Sequence, residues 1–101
     1  MREYYVYIIR CRGGAYYVGV TNNLEVRIQQ HQDGVDPLSF TYSKRPVELV
    51  HYESFREIND AITREKQIKD WSRKKKEALI QENYDLLPKL AKKNFVSLRV
   101  P

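Results

Sequence analysis

An α+β fold is the class that this sequence predicts, and three observations predict it. Two runs rich in β-branched and aromatic residues, 4–11 and 15–20, flank a glycine-containing turn and read as a hairpin. A third run of strand character, 47–53, stands apart from them. The remaining chain carries helical spacing of apolar residues behind cap-like starts. The chain has 101 residues, which fits one compact domain. Its expected extent is 1–93, with 94–101 as a C-terminal extension.

The first strand, Tyr-Tyr-Val-Tyr-Ile-Ile-Arg-Cys, is nearly continuous in apolar character, so both of its faces are expected to be covered. The turn that follows sets the register. A two-residue turn at Gly13-Gly14 would put Tyr7 and Tyr17 on opposite faces, because side chains alternate with period two. A three-residue turn at 12–14 pairs Cys11 with Ala15 and Tyr7 with Gly19. Gly14 then supplies the left-handed residue such loops favour. We expect the odd loop, with Tyr7, Ile9, Tyr17 and Gly19 on one face and open space beside the Tyr7 phenol.

Asn22-Asn23-Leu24-Glu25 has the form of a capping box with Asn22 as cap, and Asp33-Gly34 closes that helix. Leu24 and Ile28 share a stripe, and Arg27 and His31 are i, i+4 neighbours beside it. Residues 35–46 read as a loop bearing Pro37 and Pro46. In the strand at 47–53, Val47, Leu49 and His51 alternate against Glu48, Val50 and Tyr52, and His51 reads as structural. Ser54-x-x-Glu57 suggests a second capping box, opening a helix to about Asp70. Its stripe is Ile58, Ala61, Ile62 and Ile68, with Trp71 close after. Further helices are expected at 72–83 and 85–93.

Lys and Arg number 18 against 13 acids, giving a net charge of +5 and a pI near 9.4. A small basic domain suits a polyanionic partner, nucleic acid first among them; a solvated basic surface is the alternative. One cysteine, Cys11, permits no internal disulfide and reads as a packing residue, which fits a cytoplasmic location. No apolar stretch approaches the ~18 residues of a membrane span.

Two groups of residues carry chemistry. Tyr7, Tyr17, Arg27 and His31 bring phenol, guanidinium and imidazole together, groups that move protons and hold phosphate. Glu65 falls on the apolar stripe between Ile58 and Ile68. A carboxylate there needs a cation, a metal or an arginine partner, unless it lies at the stripe's exposed edge. From Arg64 to Lys76, seven of thirteen residues are basic. Lys69, Arg73 and Lys76 share one face if the helix continues through Trp71.

In these residues the chain resembles the GIY-YIG nuclease superfamily, in its small stand-alone bacterial branch. The first family tripeptide appears as Tyr5-Val6-Tyr7 and the second as Tyr17-Val18-Gly19. The helix arginine matches Arg27, the Tyr-or-His position matches His31, and the metal-binding glutamate matches Glu65. Trp71-Ser72-Arg73-Lys74-Lys75-Lys76 is also similar to that branch. The likeness covers residues 4–80 or so. It implies a three-stranded antiparallel sheet flanked by helices, and phosphodiester hydrolysis with one Mg²⁺ or Mn²⁺ held by Glu65. It implies Tyr7 as general base, Tyr17 orienting water or phosphate, Arg27 forking onto phosphate oxygens, and His31 holding phosphate or sharing the proton with Tyr7.

Val20 stands where several members carry lysine, and Asn83 is the candidate for a late asparagine that contributes in some relatives. No DNA-reading domain is evident in the sequence. Lys69, Arg73 and Lys76 would dock backbone phosphates. The expected function is therefore a nuclease of low sequence specificity, acting on DNA in preference to RNA, with a protein partner as a possible source of specificity. The alternatives are a catalytically weak nucleic-acid-binding module on the same scaffold, and a small interaction protein whose tyrosines are only core.

Overall fold

The computed structural model describes residues 2–86, with side chains as far as residue 82. The elements are β1 (Tyr4–Cys11), β2 (Tyr16–Thr21), α1 (Leu24–Asp33), a 3₁₀ turn (Tyr42–Lys44), β3 (Val47–Phe55), α2 (Ile58–Lys69) and α3 (Arg73–Leu86). The strands form one antiparallel sheet in the order β2-β1-β3. α3 continues past the expected end near Asn83 and takes in the first residues expected of a separate helix at 85–93. The rest of that helix and the extension 94–101 lie outside the described residues.

The central position of β1 explains its unbroken apolar sequence. Tyr7, Ile9 and Cys11 pack on one face with Ile28 of α1 and with Val47 and Leu49 of β3. Val6 and Ile8 pack on the other with Val18, Ala61 and Ile68, and with Trp71, Leu79 and Ile80 at the margin. α1 thus covers one face of the sheet, and α2 with α3 covers the other.

The hairpin has the odd loop. Cys11 N–H donates to the Ala15 carbonyl at 2.8 Å, and Tyr7 lies opposite Gly19. Gly14 has φ of +99°, a conformation that glycine reaches without steric cost.

Several boundaries differ from expectation. Asn23, not Asn22, caps α1; its side chain accepts from Val26 N–H at 3.1 Å. β3 runs on through Phe55 with Ser54 opposite Tyr5, so Ser54 cannot cap α2; Glu57 takes the cap position without a side-chain bond. A β-bulge between Ile8 and Ile9 pairs them with His51 and Leu49. It breaks the alternation and moves His51 away from Val47 and Leu49 to the α2 face. On that stripe Ala61 and Ile68 are buried, whereas Ile58 and Ile62 are exposed.

His51, expected to be structural, is 2% exposed. Its Nε2 lies 2.8 Å from Glu53 Oε2, and Arg64 forks onto the same carboxylate at 2.8 and 3.0 Å. Burial alone would raise the Glu53 pKa, but the hydrogen bonds from His51 and Arg64 and their charges outweigh it and bring it down to about 2. A lowered carboxylate pKa stabilises the fold above its unfolded value, and the gain is lost as pH falls through the folded value. Glu53→Gln should therefore lower stability by roughly 2–3 kcal/mol near neutral pH. Its deficit against the parent should shrink between about pH 4.5 and pH 2. Urea melts across that range check this; a constant deficit would mean that the charge of Glu53 is not what stabilises the fold.

Candidate active site

The hairpin and α1 converge on Tyr7. Its ring crosses the sheet face over Gly19, and only 1% of the residue is exposed. The space expected beside the phenol is filled by the phenol itself. A Cβ on Gly19 would stand 2.5 Å from Tyr7 Oη and 2.6 Å from Cζ. The obstacle is a rigid ring held in the core, not a side-chain tip that can swing away. Gly19→Ala should then displace Tyr7 and destabilise the protein by about 1–3 kcal/mol. A thermal melt checks it, and wild-type stability would show that the ring has room to move.

Tyr7 Oη lies 2.9 Å from His31 Nε2, and His31 Nδ1 lies 2.8 Å from Thr41 Oγ1. Thr41 in turn meets Ser39 Oγ at 3.2 Å. His31 is 8% exposed and Thr41 1%. The chain therefore runs Tyr7–His31–Thr41–Ser39 from the core toward the loop at 35–46. The rings of Tyr17 and His31 stand 5.2 Å apart at 60°, and those of Tyr7 and Tyr17 6.3 Å apart. Capping fixes the position of α1: Gly34 in the left-handed region, φ +66°, terminates it one turn beyond His31.

Burial works against charge on both Tyr7 and His31. Burial first, then the neighbouring Tyr17 phenol, pushes the Tyr7 pKa well above that of a free tyrosine; Arg27 opposes this and Glu65 adds to it. Burial first, then the Arg27 guanidinium, lowers the pKa of His31. A neutral imidazole has one bare nitrogen. In the tautomer that carries its proton on Nδ1, His31 donates to Thr41 Oγ1 and its Nε2 accepts from the Tyr7 hydroxyl.

Arg27 lies on the exposed side of α1 and, with Tyr17 and His31, lines an open cleft of about 300 Å³. Phe40 and Tyr42 line it as well. Tyr7, Tyr17, Arg27 and His31 therefore come together, and Glu65 is near enough for its charge to act on Tyr7.

Glu65 is neither deeply buried nor paired to arginine. Its side chain is 17% exposed and Oε2 lies 2.7 Å from Lys69 Nζ, one turn on. Among the described residues no three His, Cys, Asp or Glu side chains converge. A cation at Glu65 would have a single hard carboxylate from the described side chains and would keep several water or phosphate oxygens. That donor set suits Mg²⁺ or Mn²⁺. Lys69 is half-exposed and can swing aside to admit one.

The expected face of Lys69, Arg73 and Lys76 does not form. α2 ends at Lys69, and α3 starts at Arg73. Asp70 closes α2, and Ser72 Oγ accepts from Lys75 N–H to open α3, with Trp71 packed at the corner. Lys69 is held by Glu65. Arg73 donates to the Gly14 carbonyl at 2.7 Å and lies over Tyr16. Lys76 is partly buried. Asn83 falls on α3, but its side chain lies outside the described residues.

The loop residues Ser39, Phe40 and Thr41 were not singled out by the sequence reading. The signal available was the pattern Phe40-Thr41-Tyr42 followed by Lys44 and Arg45, aromatic and basic groups in a loop of otherwise polar character.

The profile of the GIY-YIG catalytic domain matches residues 3–78. A UPF0213 protein of Syntrophus aciditrophicus is 42% identical over 83 residues, covering 82% of this chain and 95% of the relative. A UPF0213 protein of Haloquadratum walsbyi is 38% identical over 87 residues, covering 85% and 97%. The solution NMR structure of a UPF0213 protein from Bacillus halodurans is similar at a TM-score of 0.52 and 34% identity, over 78% of this chain and 83% of that one. Among the described residues no helix is long and apolar enough to cross a membrane.

Proposed function

Because the chain belongs to the family of GIY-YIG catalytic domains, a nuclease family, and groups there with the UPF0213 proteins, we propose that it hydrolyses phosphodiester bonds of nucleic acid, DNA in preference to RNA, with Mg²⁺ or Mn²⁺ and little sequence specificity. The observation that carries this reading is the buried Tyr7–His31 hydrogen bond beside Arg27, with Glu65 in electrostatic range.

Tyr7 is poorly suited to wait as a phenolate, since its pKa is raised. It is well suited to relay a proton. As water attacks phosphorus, Tyr7 Oη takes the water proton and passes its own to His31 Nε2, so no phenolate needs to form. Thr41 holds the imidazole in the accepting orientation. Arg27, exposed at the cleft, forks onto two phosphate oxygens and offsets the charge that builds there. Tyr17 orients the water or phosphate. A divalent cation bound at Glu65 would supply Lewis acidity toward the phosphate and the leaving oxygen. Lys69, released from Glu65, would then be free to meet the nucleic-acid backbone; Arg73 and Lys76 would contribute to its field from α3.

One observation favours a second reading, a catalytically weak binding module: the Glu65–Lys69 ion pair leaves the carboxylate already satisfied. Incubation of labelled single-stranded, duplex and branched DNA with Mg²⁺, Mn²⁺ or EDTA separates the two. Cleavage that requires the cation is expected. Binding without cleavage of any substrate would overturn the nuclease reading in favour of the module.

A further inference from the structure

The loop at 35–46 exposes apolar surface beside a polar site. Leu38 is 94% exposed, Val35 63% and Phe40 48%. The Phe40 ring is not part of the α1-side core cluster, although Tyr17 packs against that cluster. It stacks on Tyr17, nearly parallel at 19° with centroids 6.2 Å apart. Cations sit over these rings: Lys44 Nζ lies over the Phe40 face, 4.4 Å from its centroid, and the Arg45 guanidinium over the Tyr42 face, 4.7 Å from its centroid. Phe40 and Tyr42 line the same cleft as Tyr17, Arg27 and His31.

Flat apolar faces interleaved with cations match the chemistry of a nucleotide: a π-face to stack and a phosphate to neutralise. A base within a duplex has both faces covered by its neighbours, so only an unstacked base can use such a ring. We propose that Phe40, supported by Tyr42, is a nucleobase-stacking subsite, and that the cleft takes an unpaired strand with one base on Phe40 and an adjoining phosphate at Arg27. The placement of that phosphate as the scissile one rests on the nuclease reading. The stacking itself does not. The flexible Lys44 side chain leaves the Phe40 face as the base stacks there, and with Arg45 meets the flanking phosphates. Selection of strand form thus comes from the loop, while the sheet and α1 supply the chemistry.

The test is equilibrium binding in EDTA, using an oligonucleotide with a single 2-aminopurine, alone or annealed to its complement. The single strand should bind the parent protein and lose fluorescence as the base stacks. Phe40→Ala, at a half-exposed position, should weaken single-strand binding by about 10-fold and abolish the quenching. It should change duplex binding by less than about 2-fold, and Phe40→Trp should restore single-strand affinity. Equal losses on both strand forms, no loss on either, or no detectable single-strand binding at low salt would overturn the subsite. The nuclease reading fails separately. Phe40-dependent quenching in a protein that cleaves no DNA with either cation would remove the enzyme and leave the subsite standing.

Discussion

Glu65→Gln should lower cation-dependent cleavage by about 10³-fold or more while the melting temperature stays close to that of the parent. The substitution keeps the size and hydrogen-bonding shape of the side chain and removes its charge. An i, i+4 ion pair such as Glu65–Lys69, whose Lys69 end is half-exposed, contributes about 0.3–0.5 kcal/mol to stability. A divalent cation at a reacting phosphate is worth several kcal/mol of transition-state stabilisation. The two roles of Glu65 therefore differ about tenfold in free energy, and one variant tells them apart. Mn²⁺ binding, followed by the relaxation of water protons, should be lost in parallel with cleavage and supplies a readout that does not depend on turnover. Parent-like cleavage would remove Glu65 from the chemistry. Unfolding would make it a structural ion-pair member, a role that its 17% exposure would allow.

The first third of the chain was the most legible part, and the reason is local. A three-residue turn fixes the parity of a hairpin, so Tyr7 opposite Gly19 follows from Gly14 and from counting by two. Arg27 and His31 follow from helical spacing in the same way. What lay outside such rules was less legible. The bulge beside Ile9 reverses the facing of β3 beyond Leu49, and no residue in that run announces it; a period-two reading assumes an unbroken ladder. The phenol of Tyr7 fills the space that glycine opposite seemed to leave, because apolar burial draws the ring inward over the bare backbone. Two signals were present and overlooked. Lys69 stands four residues after Glu65, the spacing of a helical ion pair, and Ser72-x-x-Lys75 marks the start of α3, which interrupts the basic face. Thr41 is of another kind. A loop threonine contacts a helical histidine only because β3 returns the chain beneath α1, and that contact exists in three dimensions alone.

Tyr7→Phe separates chemistry from packing at the centre of the site. The ring remains over Gly19 and the core keeps its volume. The loss is one hydrogen bond, together with the donor to a largely buried His31 Nε2. That should lower stability by about 1–2 kcal/mol. A proton relay contributes about 10²–10⁴ in rate, so cleavage should fall by that factor with nucleic-acid binding nearly unchanged. The pH dependence sharpens the distinction. His31 must be neutral to accept the proton from Tyr7, and its pKa lies below the ordinary histidine value because of burial and Arg27. Parent activity should rise through that lowered pKa and then level off across neutral pH, with no alkaline requirement for a phenolate. In Tyr7→Phe the residual activity should lose this acidic limb. Arg27→Lys should also be severe, at about 10²-fold or more, since a point charge cannot fork onto two phosphate oxygens. Unlike Tyr7→Phe, it should keep the limb and move it upward, because a more mobile cation at position 27 opposes protonation of His31 less. An unaltered rate in both variants would show that the hydroxyl and the fork serve the fold alone, and the Phe40 cleft would then belong to a binding module.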